Sequence, residues 1–131
     1  MRLSTKRLKK HLKLKRVKGS NMSKNTVKAV PLDDIDSATL TGVYAIINSG
    51  GLPYNCFLLR IMNASSQDVT ISYDGAINHE VVLADSTLQI PAQSNSQPNN
   101  WVANFPKGMV VWAKGTAGVG SIYVSAYYQP N

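Results

Sequence analysis

The charged residues of this chain divide it into two segments of different character, and only one of them can form a folded core. Eleven of the 14 Lys and Arg lie between Arg2 and Lys28, a stretch that contains no Asp or Glu. The rest of the chain carries three Lys and Arg against seven Asp and Glu, a net charge of −4. Folding is therefore left to the roughly 100 residues after the arm, enough for one modest domain. A basic tail of this kind is typical of a segment that contacts an anionic partner.

The composition of the body favours strands and turns over helices. Val, Ile, Tyr, Ser, Thr, Asn and Gly are frequent after residue 41, whereas Lys and Glu are rare. The single cysteine, Cys56, cannot form an internal disulfide and is expected to be a small buried hydrophobic side chain. One Cys and two His without metal-ligand spacing predict no metal site, and no cofactor is expected.

Short segments with two-residue alternation, separated by turn residues, predict an all-β fold. The segment 55–63 is the most apolar and is expected at the centre of a sheet. The glycine-rich residues 115–120 are expected to be a hairpin connection between two strands. Seven or eight short strands predict an antiparallel β-sandwich, of jelly-roll or immunoglobulin-like type, with an extended basic N-terminal arm. The strands are predicted at residues 42–48, 55–63, 69–73, 79–83, 87–90, 109–114 and 121–128.

These signals predict three parts of the chain. Residues 1–28 form the basic arm, residues 29–41 a linker with Pro31 and an acidic turn, and residues 42–131 the β-sandwich domain. Met22 could also serve as a start of the chain, so the arm is interpreted as an extension added to a complete domain.

The arm is predicted to be the main partner-binding segment. Leu8 and Leu12 are four residues apart, so they would share one face of a basic helical turn and contribute to an interface. Two partners stay open: an acidic groove between protein subunits, or nucleic acid, whose phosphates such side chains neutralise. A solubilising tail without a partner is the third alternative. The basic side chains predicted to bind are Lys6, Arg7, Lys9, Lys10, Lys13, Lys15, Arg16 and Lys18.

A second candidate interface lies in the amide-rich segment 91–100, which is predicted to be a loop. Trp101 follows Asn99 and Asn100, and it is the aromatic residue most expected at an interface. Trp112 and Tyr123 are instead expected to pack inside the sandwich.

No catalytic site is predicted. A nucleophile, base and orienting carboxylate could be drawn from Ser72, His79 and Asp85, but no elbow motif surrounds any serine, so the chain is not expected to be an enzyme. The longest apolar run, residues 56–62, is interrupted by Arg60 and is far shorter than the roughly 20 residues of a membrane span. No apolar stretch follows the basic segment, as it would in a secretory signal.

Six segments of the body carry a resemblance to a known class of proteins: residues 69–75, 79–83, 93–97, 105–108, 114–118 and 121–128. In these segments the body resembles small β-sandwich structural proteins found in the particles of tailed bacteriophages. The resemblance covers a little over half of the chain, between residues 61 and 129. It lies in features of a short-stranded fold and contains no catalytic signature.

The resemblance implies a virion component that binds other virion proteins. We therefore expect a non-enzymatic capsid decoration or cement protein that oligomerises and is anchored on the major capsid protein by its basic arm. Two alternatives stay open: a neck, collar or tail accessory protein, and a nucleic-acid-binding protein that uses the arm. The long arm departs from the resemblance and leaves the station in the particle undecided.

Overall fold

The alternating segments form nine strands in the computed structural model, which describes residues 26–92 and 103–130. A single 3-10 turn, Ser37–Thr39, follows the second strand and is capped by Asp36, whose Oδ1 accepts from the backbone N–H of Ala38 at 2.9 Å. No α-helix occurs in these two ranges. The strands are β1 (Lys28–Ala29), β2 (Asp33–Asp36), β3 (Ala45–Ile46), β4 (Leu58–Ser65), β5 (Val69–Ser72), β6 (Glu80–Val82), β7 (Ser86–Pro91), β8 (Trp112–Gly115) and β9 (Gly120–Tyr128).

The strands pair into two sheets. The first has the order β1–β9–β4–β7, with β2 also paired with β9, and the second has the order β3–β8–β5–β6. The pairs for which a register is defined are all antiparallel. The fold is thus the predicted antiparallel β-sandwich, with β4 at the interior of the first sheet as expected for the most apolar segment.

The strand order identifies the sandwich as a jelly roll. From β2 to β9 the chain passes from one sheet to the other at every connection except the β5–β6 hairpin. An immunoglobulin-like sandwich keeps several consecutive strands as neighbours in one sheet, whereas two interleaved Greek keys produce the order seen here. Of the two predicted types, the topology selects the jelly roll.

The hydrophobic core lies between the two sheets and follows the two-residue period of their strands. Leu59 and Ile61 of β4 are fully buried, as is Ile71 of β5 in the other sheet. Ile122, Val124 and Ala126 share the inward face of β9, as their alternation predicts. Each such Leu, Ile or Val side chain contributes on the order of 1.5–3 kcal/mol by leaving water.

One buried amide joins the two sheets inside this core. Asn63 of β4 donates from Nδ2 to the carbonyl oxygens of Val82, on β6, at 3.0 Å and of Gln67 at 2.8 Å. Its Oδ1 accepts from the backbone N–H and the hydroxyl of Ser65. Because every polar atom of the amide is paired, Asn63 connects the first sheet to the second without an unsatisfied buried group.

The predicted linker at residues 29–41 is wrong, because this segment belongs to the sandwich. Residues 29–128 form one compact unit. Ile35 lies opposite Ile122 in the β2–β9 pair, and Leu40 is buried in the core. The acidic sequence around Asp34 concealed a strand in which Ile35 faces inward and Asp34 and Asp36 face outward.

Two further expectations need correction. Residues 115–120 do not form a hairpin, since β8 and β9 belong to different sheets and this segment crosses between them. The predicted strand at 42–48 shrinks to β3, Ala45–Ile46, although the Ile47 N–H still donates to the Val111 carbonyl at 2.9 Å in continuation of the β3–β8 register.

Candidate functional site

The residues from which a catalytic triad could have been drawn serve the turn between β5 and β6 instead. The buried hydroxyl of Ser72 donates to Oδ1 of Asp74 at 2.8 Å and accepts from the backbone N–H of Gly75 at 3.0 Å. His79 accepts the backbone N–H of Tyr73 on its Nδ1 at 3.0 Å. Asp85 lies beyond the opposite end of β6 from His79. Ser72, His79 and Asp85 are therefore not brought together.

Asp74 is the organising residue of this turn. Hydrogen bonds from the backbone N–H groups of Ile77 (2.9 Å) and Ala76 (2.8 Å), and then from the Ser72 hydroxyl, lower the pKa of its carboxyl group to about 2. Three donors directed at one carboxylate favour its charged form. At neutral pH the charged carboxylate therefore stabilises the turn between β5 and β6.

This turn covers part of the outer face of the second sheet. Gly75 lies against the ring of Trp112, where an added Cβ would approach Cε2 to 3.0 Å. The Tyr44 hydroxyl donates to Oδ1 of Asn78 in the same turn, and Nζ of Lys114 lies 4.6 Å from the centre of the Tyr44 ring. The chain thus uses its own residues to cover this face.

Several apolar side chains remain exposed beside the covered area. Ile77 in the turn and Val81 on the edge strand β6 are 61% and 63% exposed, and Leu83 follows Val81 at 58%. Ile46 on β3 lies opposite Trp112. Exposed apolar residues on an edge strand are typical of a surface that another chain covers.

The outer face of the first sheet is different, because it holds an open groove. The depression has a volume of about 350 Å³ and is lined by residues of three strands and of the β6–β7 turn. The cross-strand register places Tyr123 of β9 beside Met62 of β4, and Ala64 of β4 beside Ser121 of β9. The lining residues are Met62, Asn63, Ala64, Asp85, Ser86, Thr87 and Tyr123.

Carboxylates flank this groove on both sides. On the β2 side, Asp34 lies opposite Tyr123 and Asp36 opposite Ser121, and both carboxylates are exposed. On the β7 side, Asp85 lines the groove from a turn in which its own φ is +57°. We call these residues, with Met62, Ala64 and Tyr123, the acidic groove.

The acidic groove was not predicted from the sequence. The alternation of β9 placed Tyr123 on the face opposite Ile122 and Val124, which is confirmed, but Trp112 and Tyr123 were both expected to pack inside the sandwich. That expectation is wrong, because each lies half-buried on an outer face. The signal that could have revealed the groove is the pairing of Asp34 with Tyr123, which requires knowing that β2 is a strand.

The predicted binding residues lie outside the described ranges. This applies to the possible interface residues Trp101, Asn99 and Asn100, and to Leu8 and Leu12 of the arm. It applies equally to the basic side chains Lys6, Arg7, Lys9, Lys10, Lys13, Lys15, Arg16 and Lys18. Their roles stay predictions.

Within residues 26–92 and 103–130, no group of three His, Cys, Asp or Glu is placed to hold a metal ion.

Cys56 is buried, as expected, and burial raises the pKa of its thiol. Burial, and then the charge of Glu80, also raises the pKa of the Tyr73 hydroxyl to about 12. A search of the same ranges finds no helix long and apolar enough to cross a membrane.

No protein-family model and no curated protein sequence matches this chain. Among solved structures, it is similar to a protein of the Bacillus endospore appendages, a family of disulfide-linked pili, with 13% sequence identity, a TM-score of 0.44, and coverage of 81% of this chain and 88% of that one. It is also similar to PirA, with 19% identity, a TM-score of 0.34, and coverage of 76% and 82%.

A third similar structure is AlgX of Pseudomonas aeruginosa, with 12% identity and a TM-score of 0.40; the match covers 78% of this chain and 26% of AlgX. All three TM-scores are below 0.5.

Proposed function

We propose that this chain is a non-enzymatic structural protein of a bacteriophage particle, in which the jelly roll is the folded body and the basic arm is the anchor. The observation that carries this proposal is the separation of charge between a +11 arm and a −4 body whose acidic groove stays open. A protein with this charge distribution is suited to joining other subunits, since each copy offers both a cationic and an anionic contact element.

The exposed apolar residues of the body support the same role. Val81 and Leu83 stand on and beside an edge strand, and a sandwich that presents such an edge alone in solution risks unwanted strand pairing. Attachment to a larger assembly would cover that edge. The jelly roll is a fold found in viral capsids, though it also serves lectins and other proteins, so the fold alone does not decide the matter.

Within the particle, we favour a decoration or cement protein that binds the major capsid protein and other copies of itself. An extended arm enlarges the contact area of each subunit, and the favourable ion pairs must offset the entropy lost on ordering it. A station at the neck, collar or tail would use the same two elements with a different partner.

The test of this function compares particles assembled with the wild-type chain and with a variant in which three of the eleven arm cations are neutralised, Lys9→Ser, Lys10→Ser and Lys13→Ser (the arm-neutral variant). Quantitative mass spectrometry of purified particles should find the wild type and at least tenfold fewer copies of the variant. The matched control replaces three neutral residues, Ser20, Ser23 and Asn25, by Ala and should be incorporated normally. Equal incorporation of all three chains, or absence of the wild type from particles, would contradict the proposal.

Nucleic-acid binding is the second candidate, favoured by the same eleven cations. Neutralised phosphates release counterions, so the logarithm of the binding constant should fall with log salt at about −0.9 per contact. A steep slope that becomes shallower by up to about 2.7 in the arm-neutral variant, which has three fewer cations, would favour this candidate over protein anchoring if the wild-type chain were also missing from particles that lack nucleic acid.

A further inference from the structure

The acidic groove has the properties of a site for a basic, partly apolar peptide. Its floor is apolar at Met62 and Ala64 and aromatic at Tyr123, and its two sides carry Asp34 and Asp85. Among the residues that the structure describes, no Lys or Arg lines it. The nearest cation along β4 on this face is Arg60, two residues from Met62. The surface that favours a basic peptide is therefore limited to one end of the sheet.

The size of the groove also suits a peptide. It extends across four neighbouring strands, from β2 to β7, whose spacing of about 4.8 Å gives a width of roughly 15 Å. About five extended residues, or a short helical turn laid across the strands, would span it. A polyanion such as nucleic acid would be repelled by the three aspartates.

The sequence offers one segment of matching chemistry. Between residues 8 and 13, Leu8 and Leu12 alternate with Lys9, Lys10 and Lys13, so the segment presents both apolar and cationic groups. The body has only three Lys and Arg in total. A segment of 25 residues can extend over about 80 Å, which is long enough to reach a neighbouring molecule.

We propose that the acidic groove of one copy binds the basic arm of a second copy, with the leucines on the floor and the lysines beside Asp34 and Asp85. This inference rests on the proposed structural function and identifies the surface that makes the chain a self-associating subunit. Each exposed ion pair contributes little alone, so the contact depends on several acting together and weakens as salt screens them.

The first experiment measures self-association of the full-length chain by analytical ultracentrifugation. Asp34→Asn combined with Asp85→Asn should weaken association about tenfold, and raising salt from about 0.05 to 0.5 M should weaken the wild type more than this variant. The single variants provide a matched pair: Asp34→Asn should weaken association, whereas Glu80→Gln, which removes one carboxylate from the second sheet, should not.

Mixing two defective chains then distinguishes exchange between copies from binding within one chain. The groove variant keeps a normal arm, and the arm-neutral variant keeps a normal groove. If the arm binds in trans, an equimolar mixture should form heterodimers, visible by native mass spectrometry, in larger amounts than the homodimers that either variant forms alone.

Each alternative result overturns the inference. Wild-type association of the groove variant would exclude the groove, and failure of the mixture to form heterodimers would exclude exchange between copies. The proposed function is tested separately: if the groove variant associates normally while the arm-neutral variant is still lost from particles, the arm anchors the chain to another protein. In that case this inference fails and the function stands.

Discussion

The two outer faces of this sandwich show how one fold can complete one surface and leave another open. On the second sheet, the turn stabilised by Asp74 brings Gly75 against Trp112 and Asn78 within reach of Tyr44. On the first sheet, no segment of the described chain covers the groove between Asp34 and Asp85. The difference lies in the connections: a hairpin returns over its own sheet, whereas the crossovers around β9 run between sheets.

Exposed side chains therefore have different roles on the two outer faces. The second face is stabilised by contacts of the chain with itself, so substitutions there should change the stability of the monomer. The first face contributes little to the stability of the monomer, so substitutions there should change self-association instead. Four substitutions, in order of decreasing effect on the free energy of unfolding, test this division.

The largest effect is expected at Asn63, because its side chain connects the two sheets. Asn63→Ala removes the amide that joins β4 to Val82 and leaves buried backbone groups of Ser65 and Val82 without partners. We expect a loss of about 2–4 kcal/mol in the free energy of unfolding, measured by urea titration. Gln89→Ala, an exposed control on the same sheet, should stay within about 0.5 kcal/mol. Similar losses for both would disprove the bridging role.

The next effect isolates the contact that covers the second face. Gly75→Ala should cost about 1–2 kcal/mol, because φ is +80° and the new Cβ meets the Trp112 ring. Gly108→Ala provides the matched control: its φ is +90° but nothing lies within 4 Å, so it reports backbone strain alone. Urea titration followed by tryptophan fluorescence should find Gly75→Ala more destabilising, with a changed emission of the native state. Equal losses of stability in the two variants would show that the contact with the Trp112 ring does not contribute.

A smaller, pH-dependent effect is expected at Asp74. Its folded pKa of about 2 lies below the ordinary 3.8, so the charged carboxylate stabilises the fold above about pH 4, and that contribution is lost as the pH falls towards 2. Asp74→Asn should therefore lower the thermal midpoint at pH 6 but not at pH 2. A midpoint difference that stays constant from pH 2 to 6 would contradict the sign of this linkage.

The smallest effect on stability is expected in the groove. Tyr123→Thr on the outer face of β9 should change the free energy of unfolding by less than about 1 kcal/mol, since its ring is half-exposed. It should nevertheless weaken self-association. Tyr127→Thr, four residues along on the same face but outside the groove, is the control that should leave association unchanged. Equal association of the two variants would separate Tyr123 from the binding surface.

The sequence predicted the strands whose inward positions alternate strictly, such as β5 and β9, because a two-residue period reports burial on one face. It did not reveal β2, since the aspartates that face outward there resemble a polar turn. Pairing partners were also hidden: the glycines at 115–120 suit a hairpin and a crossover equally well. Alternation specifies which side chains face inward but not which strand lies alongside.

The candidate site was harder to predict for the same reason. Asp34, Met62, Asp85 and Tyr123 are far apart in sequence and meet only through the jelly-roll order of β2, β9, β4 and β7. The basic arm, by contrast, was evident from composition alone, because a run of like charges needs no tertiary contact to be recognised. Predicting the acidic groove, which complements the charge of the arm, required knowledge of the fold.

The most direct test of the central claim is hydrogen exchange of the full-length chain, compared between dilute monomer and associated protein. We expect association to slow exchange at residues 33–36 and 83–87, on the two sides of the acidic groove, and to leave residues 74–79 unchanged. Slower exchange confined to residues 74–82, on the second sheet, would contradict this expectation and place the contact on the other face of the sandwich.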